Sequence, residues 1–129
     1  MEAGLEHLSR GTGRHMTRFL AVMEPYYRSM ETASRVSALA QEMGVGEVVV
    51  VSNKVRDDAD RRAIAEFCGH KGLRLIAEIP FDARLAEAER HGAAPIEHGA
   101  DAPSIRAIRG LANTLMTALL WLAAGHLIG

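Results

Sequence analysis

The chain has 129 residues, a formal net charge of -1, and 48% hydrophobic against 24% charged residues. That is the balance of one globular domain able to bury about two-thirds of its unfolded surface, and it gives no electrostatic case for a nucleic-acid partner, which needs a basic excess. One cysteine, Cys68, excludes an internal disulfide and fits a reducing compartment.

In chain order, the first 15 residues carry Gly4, Gly11 and Gly13 and no apolar periodicity, which reads as a loop. They contain no apolar segment of a secretory leader, so a cytoplasmic protein is expected. Arg18–Met23, RFLAVM, reads as a first strand, ended by Pro25, which supplies no ladder donor. A helix over 29–43 follows, with Ser29 as its cap and Met30, Ala33, Val36, Leu39, Ala40 and Met43 on one face. Gly44 and Gly46 close it. Residues 47–54, EVVVVSNK, then place four valines in a strand buried on both faces that stops in Ser52, Asn53 and Lys54. Asp57 or Asp58 starts a second helix with Ala63, Ile64, Phe67 and Cys68 inward and Gly72 at its end. A third strand over 73–79 runs into Pro80, Phe81 and Asp82. A short helix over 84–90, a small edge strand over 94–97 and a C-terminal apolar helix over 103–127 complete the reading, with Pro103 in the last helix's first turn.

Strands alternating with helices through short connections predict an α/β fold: a short parallel sheet of three main strands joined by βαβ crossovers, in one domain over 1–129. Right-handed crossovers between sequentially laid strands put both connecting helices on one sheet face. Only the C-terminal helix is then left for the other face, so the three-layer fold is read as incomplete. Ligands in open α/β sheets sit beyond the carboxyl ends of the strands. That singles out Glu24 and Pro25, Asn53 and Lys54, and Pro80, Phe81 and Asp82. Two of these groups have a plainer reading: Asn53 as a local cap in a strand-to-helix turn, Glu24 and Pro25 as a solvated strand end. His7, His15, His91 and His98 lack the compact spacing of a metal site, and Cys68 reads as a small buried hydrophobe. The run 110–129 has no charged residue and is borderline in length for a span of about 20 apolar residues. Asn113, Thr114, Thr117 and His126 interrupt it, which favours packing on protein over membrane insertion.

The segments EAGLEHLSRGT, MEPYYRSMETASRV, VVVVSNKVRD and LIAEIPFD, in this order, resemble the MinD/ParA-type (SIMIBI) P-loop ATPases. The likeness is greatest to the CooC-like branch, accessory ATPases for nickel insertion into carbon monoxide dehydrogenase, and it runs from Glu2 to about Leu111. It implies that Asn53 reads an adenine ring, since an amide offers a purine edge both a donor and an acceptor. It also implies that Pro80, Phe81 and Asp82 line the base pocket and that Glu2, Ala3 and Gly4 belong to a switch segment. For the family it implies ATP with magnesium, action as a dimer, and a carbon monoxide dehydrogenase-like client. Nowhere in the chain does G-x-x-x-x-G-K-[ST] occur. The switch aspartate would precede Met1, and the family's metal-binding cysteine pair is absent. The chain therefore reads as the C-terminal, base-binding half of such an ATPase, without hydrolysis of its own. The alternative is a non-catalytic, homo-oligomeric interaction module, built on the exposed edge of the 18–23 strand or on a separate N-terminal half.

Overall fold

The computed structural model describes residues 18–94 and 101–128. The chain forms two compact units, Met1–Glu78 and Ile79–Gly129. In the first, β1 (Arg18–Met23) leads through α1 (Tyr27–Glu42) to β2 (Glu47–Val55), and α2 (Asp58–Lys71) leads to β3 (Leu75–Pro80), whose last two residues pass into the second unit. The strands form one open parallel sheet in the order β1-β2-β3. The β1–β2 ladder pairs Arg18 with Glu47 and runs in register to Met23 opposite Ser52. On the other side of β2, the Val50 N–H donates to the Arg74 carbonyl at 2.8 Å, and the Ser52 hydroxyl reaches the Ala77 carbonyl at 3.4 Å.

Both crossover helices lie on one face, as right-handed connections require. Ala21 and Met23 of β1, Val50 and Val55 of β2, Met30 and Ala33 of α1, and Ile64 and Cys68 of α2 form one buried cluster, with Phe19, Phe67 and Leu73 packed against it. The other face of β2 is also buried, through Val49 and Val51. Val22, opposite Val51 in the ladder, is 52% exposed. The run of valines is thus dry on both sides, while the neighbouring edge strand opens toward solvent near its carboxyl end.

The amino ends of the strands are tied by charge. Glu47 accepts from Arg18 at 2.7 Å and from Arg74 at 3.0 Å, so one carboxylate braces the starts of β1 and β2 and the approach to β3. Arg61, in the first half of α2, holds Glu78 of β3 with two nitrogens at 2.8 and 3.0 Å and also meets Asp58. These contacts, led by the hydrogen bond to Glu78, raise the pKa of its guanidinium further. Asp57 caps α2 by accepting from the Asp60 N–H at 2.9 Å, and Asp60 in turn accepts from the Arg56 N–H at 3.0 Å. At the far end Gly72 turns left-handed at φ 66°, which lets the Leu73 N–H reach back to the Cys68 carbonyl.

Three local expectations shift. The first helix starts at Tyr27, two residues before the serine expected to cap it, and the residue before it, Tyr26, is extended at φ -142° and ψ 152°. Tyr26 is the cap residue, without a side-chain bond to the helix's amide groups, and Ser29 looks backward, accepting from the Glu24 N–H at 2.8 Å. The second strand does not stop at Ser52 but continues to Val55. The third begins at Leu75 rather than Leu73, since Leu73 completes the helix end. Ala94 is in no strand. The rest of the expected 94–97 edge strand lies outside the described residues, as do the switch-like Glu2, Ala3 and Gly4 and the histidines His7, His15 and His98.

In the second unit, α3 (Ala83–Arg90) precedes α4 (Pro103–Ile128). Asp82 joins their starts: it accepts from the Arg84 N–H at 3.0 Å and from the Ser104 hydroxyl at 2.9 Å. Ala88, Ala102, Ser104 and Ile105 are buried. Among the described residues no helix is long and apolar enough to cross a membrane.

Burial rather than surface charge is expected to dominate stability. Ile64→Ala should cost about 2–4 kcal/mol in chemical denaturation, and Glu47→Ala, removing part-exposed ion pairs, less than about 1 kcal/mol. Equal losses would overturn this ranking.

Candidate nucleotide-base site

The carboxyl ends of β1 and β2 meet the first turns of α1 around a cleft of about 370 Å³, lined by Val22, Glu24, Tyr26, Arg28, Ser29, Thr32, Asn53 and Lys54. The volume lies near the lower end for small-molecule pockets. Three residues picked from the sequence, Glu24, Asn53 and Lys54, therefore line one recess. Pro25 turns the chain into α1 and is not part of the lining.

Glu24 is the hub of the recess. Its Oε1 lies 2.9 Å from Lys54 Nζ, its Oε2 accepts from the Tyr26 hydroxyl at 2.8 Å, and its own N–H is held by Ser29. The hydrogen bond from Lys54, then that from Tyr26, hold the Glu24 carboxyl below the usual glutamate range despite partial burial. The same carboxylate pushes the Tyr26 phenol above its ordinary value. The recess thus contains an ionised, hydrogen-bonded carboxylate rather than a proton donor poised near neutrality. That suits recognition better than general acid–base work.

Across from this hub, Lys54 adopts a left-handed backbone at φ 58°, the one non-glycine residue to do so among those described. For a side chain with a Cβ this costs about 1–2 kcal/mol, and such outliers gather at functional positions. The Lys54 N–H donates to Asn53 Oδ1 at 3.0 Å, so the oxygen end of that amide is oriented while its amino group keeps two donors. Val22 supplies an apolar wall beside these polar groups. A flat heterocycle with donors and acceptors on its rim is the kind of ligand such a wall and amide can hold.

Pro80, Phe81 and Asp82 belong to the second compact unit. Pro80 ends β3, Phe81 is exposed, and Asp82 caps α3. Burial pushes the Asp82 carboxyl up, but hydrogen bonds from the Arg84 amide and from Ser104 outweigh it and hold the group below the usual range. Tyr26, Arg28, Ser29 and Thr32 are not among the sequence-derived candidates: Ser29 and Thr32 fall in the expected helix over 29–43, and Tyr26 and Arg28 in the connection before it. The signal available was Pro25, which follows the end of β1 and lies two residues before the start of α1. Cys68 is buried against Met23, its Sγ 4.0 Å from the thioether sulfur, and burial raises its pKa. Among the described residues no group of three His, Cys, Asp or Glu side chains could hold a metal ion.

No protein-family model matches the chain. It is 32% identical over 120 residues to the carbon monoxide dehydrogenase accessory protein CooC of Rhodospirillum rubrum, covering 93% of this chain and 43% of that protein. It is 34% identical over 93 residues to an uncharacterised ATP-binding protein of Methanocaldococcus jannaschii, covering 70% of this chain and 36% of the relative. In solved structures the fold is similar to the MinD cell division protein of Aquifex aeolicus, with TM-score 0.65, 24% identity, and 78% of this chain matched to 44% of that one. A ParA family ATPase of Chlorobium tepidum gives TM-score 0.59 at 16% identity over 79% of this chain and 43% of that one. The chain spans less than half the length of the relatives it matches. Sequence and fold agree: the chain matches part of the CooC-like, MinD/ParA-type P-loop ATPases.

Proposed function

We propose that this chain supplies the base-recognising part of an adenine-nucleotide site in a CooC-like ATPase that serves maturation of a metal centre. The observation that carries the reading is the cleft at the carboxyl ends of β1 and β2, where the Asn53 amide, the Lys54–Glu24 ion pair and the exposed Val22 wall converge. From the family resemblance, Pro80, Phe81 and Asp82 are proposed as base-lining residues through their backbone groups, and Pro25 is proposed to set the turn beside Glu24. The ATP-binding relatives support the nucleotide, and the relative named for carbon monoxide dehydrogenase supports a metalloenzyme client.

ATP and magnesium fit these residues only in part. An amide beside an apolar wall suits the base, but the chain carries no G-x-x-x-x-G-K-[ST] loop to cradle phosphates or hold magnesium. We derive no hydrolytic step for these residues, because phosphoryl transfer depends on that positioning. The chain is read as acting in the cytoplasm, as a homodimer or with a chain that brings a phosphate loop. A second reading, a non-catalytic assembly module, draws on the exposed Val22 of β1, an edge strand among the described residues.

For this chain alone, ATP is expected to bind with Kd about 1 mM, near 4 kcal/mol, without magnesium-dependent turnover. Asn53→Ala should weaken binding about tenfold, as loss of an amide contact implies. Binding tighter than about 10 μM, or turnover by pure protein, would refute the base-only reading.

The depressed Glu24 carboxyl makes a second expectation. A lowered folded pKa means that the Lys54–Glu24 bridge contributes stability above the ordinary glutamate value of about 4.3 and loses it as pH falls through the lower, folded value. A side-chain NMR titration should give Glu24 a midpoint under that ordinary value, and under it still less once Lys54→Met removes the ammonium. A wild-type midpoint at or above the ordinary value contradicts the bridge.

A further inference from the structure

The backbone of Lys54 is left-handed inside a strand, and its side chain does not explain why. Asparagine and aspartate tolerate this region through short polar side chains that bond locally; lysine has none. What accompanies the conformation is a clamp from a different strand end. Lys54 Nζ lies on Glu24 Oε1, the Tyr26 hydroxyl fastens the other carboxylate oxygen, and Ser29 holds the Glu24 N–H. Immediately beside the clamp, the Lys54 N–H pins Asn53 Oδ1. Relaxing Lys54 toward the extended conformation of its neighbours would reorient the peptide between Asn53 and Lys54 and release that pin.

The pin matters because an amide has two different ends. Adenine presents an amino donor beside a ring-nitrogen acceptor, whereas guanine presents two acceptors, N7 and O6, along the corresponding edge. An asparagine held with its oxygen in one place can match the adenine pattern bidentately. A freely rotating amide can turn its amino group to either guanine acceptor and lose the distinction.

Building on the base-site reading above, we propose that Glu24, fastened by Tyr26, is a positioning residue that sets purine specificity by holding Lys54 left-handed and so locking the orientation of the Asn53 amide. Glu24 need not touch the nucleotide for this; it acts through Lys54.

The test is a cycle of Glu24→Gln and Lys54→Gly, with ATP and GTP titrated by NMR, which reads millimolar affinities. Glycine accepts positive φ without a clamp, so it removes the reason for one. Glu24→Gln is expected to lower the ATP-over-GTP preference about tenfold, within the discrimination a bidentate amide–base pair gives. The same change on the Lys54→Gly background should cause no further drop. Tyr26→Phe, which leaves the carboxylate in place, should give a smaller change in the same direction. Without nucleotide, the Asn53 side-chain amide resonances should move in Glu24→Gln.

Each contrary result has its own meaning. A Glu24→Gln variant that weakens ATP and GTP equally, or that loses as much preference on the glycine background, overturns the positioning role. Unchanged Asn53 amide resonances in the nucleotide-free variant overturn the lock itself. Wild-type protein that binds neither nucleotide overturns the base-site reading and the specificity role with it, while the amide resonances still show whether the lock exists.

Discussion

A strand of consecutive valines has to be dry on both faces and paired on both edges, and β2 places that demand on everything around it. Val50 is covered by α1 and α2, Val49 and Val51 are buried from the other side, and hydrogen bonds leave the strand toward β1 and toward Arg74. A buried polar backbone cannot stay unpaired without a cost of several kcal/mol, so the chain can change character only where the strand emerges. It does so at Asn53 and Lys54. The hydrophobic requirement therefore decides where polar chemistry is permitted, and the cleft sits at that exit.

Much of this was legible in the residues. The valine run, the helical spacing of Met30, Ala33 and Ala40, and the glycines after each helix act over short distances and mean the same in almost any context. The shared face of the two crossover helices also followed, from handedness alone. Ser29 was not legible: a serine near a helix start is usually a cap, whereas here its hydroxyl turns back to accept from the Glu24 N–H. Lys54 was legible as a polar strand end but not as a left-handed residue, because nothing in its side chain advertises that conformation. The clamp linking residues 24, 26 and 54 joins two strand ends across the sheet. Such a contact depends on register, which local patterns do not specify.

The site and its scaffold divide the charged residues by purpose. Glu47 braces the starts of β1 and β2, and Arg61 ties the first half of α2 to β3; neither lines the cleft. Glu24 has the same chemistry but is held from three directions, at a strand's carboxyl end where α/β sheets receive ligands. What separates the recognition group from the braces here is its place, lining the cleft beside Asn53.

The placement of Cys68 has a practical meaning. The chain's one thiol lies buried in the β1–α2 packing, and burial raises its pKa. Thiolate is the reactive form, so alkylating reagents meet a silent cysteine while the packing holds. Modification must wait for that packing to open. The protein thus carries a built-in clock: the rate at which its thiol is trapped reports how often the βαβ core comes apart.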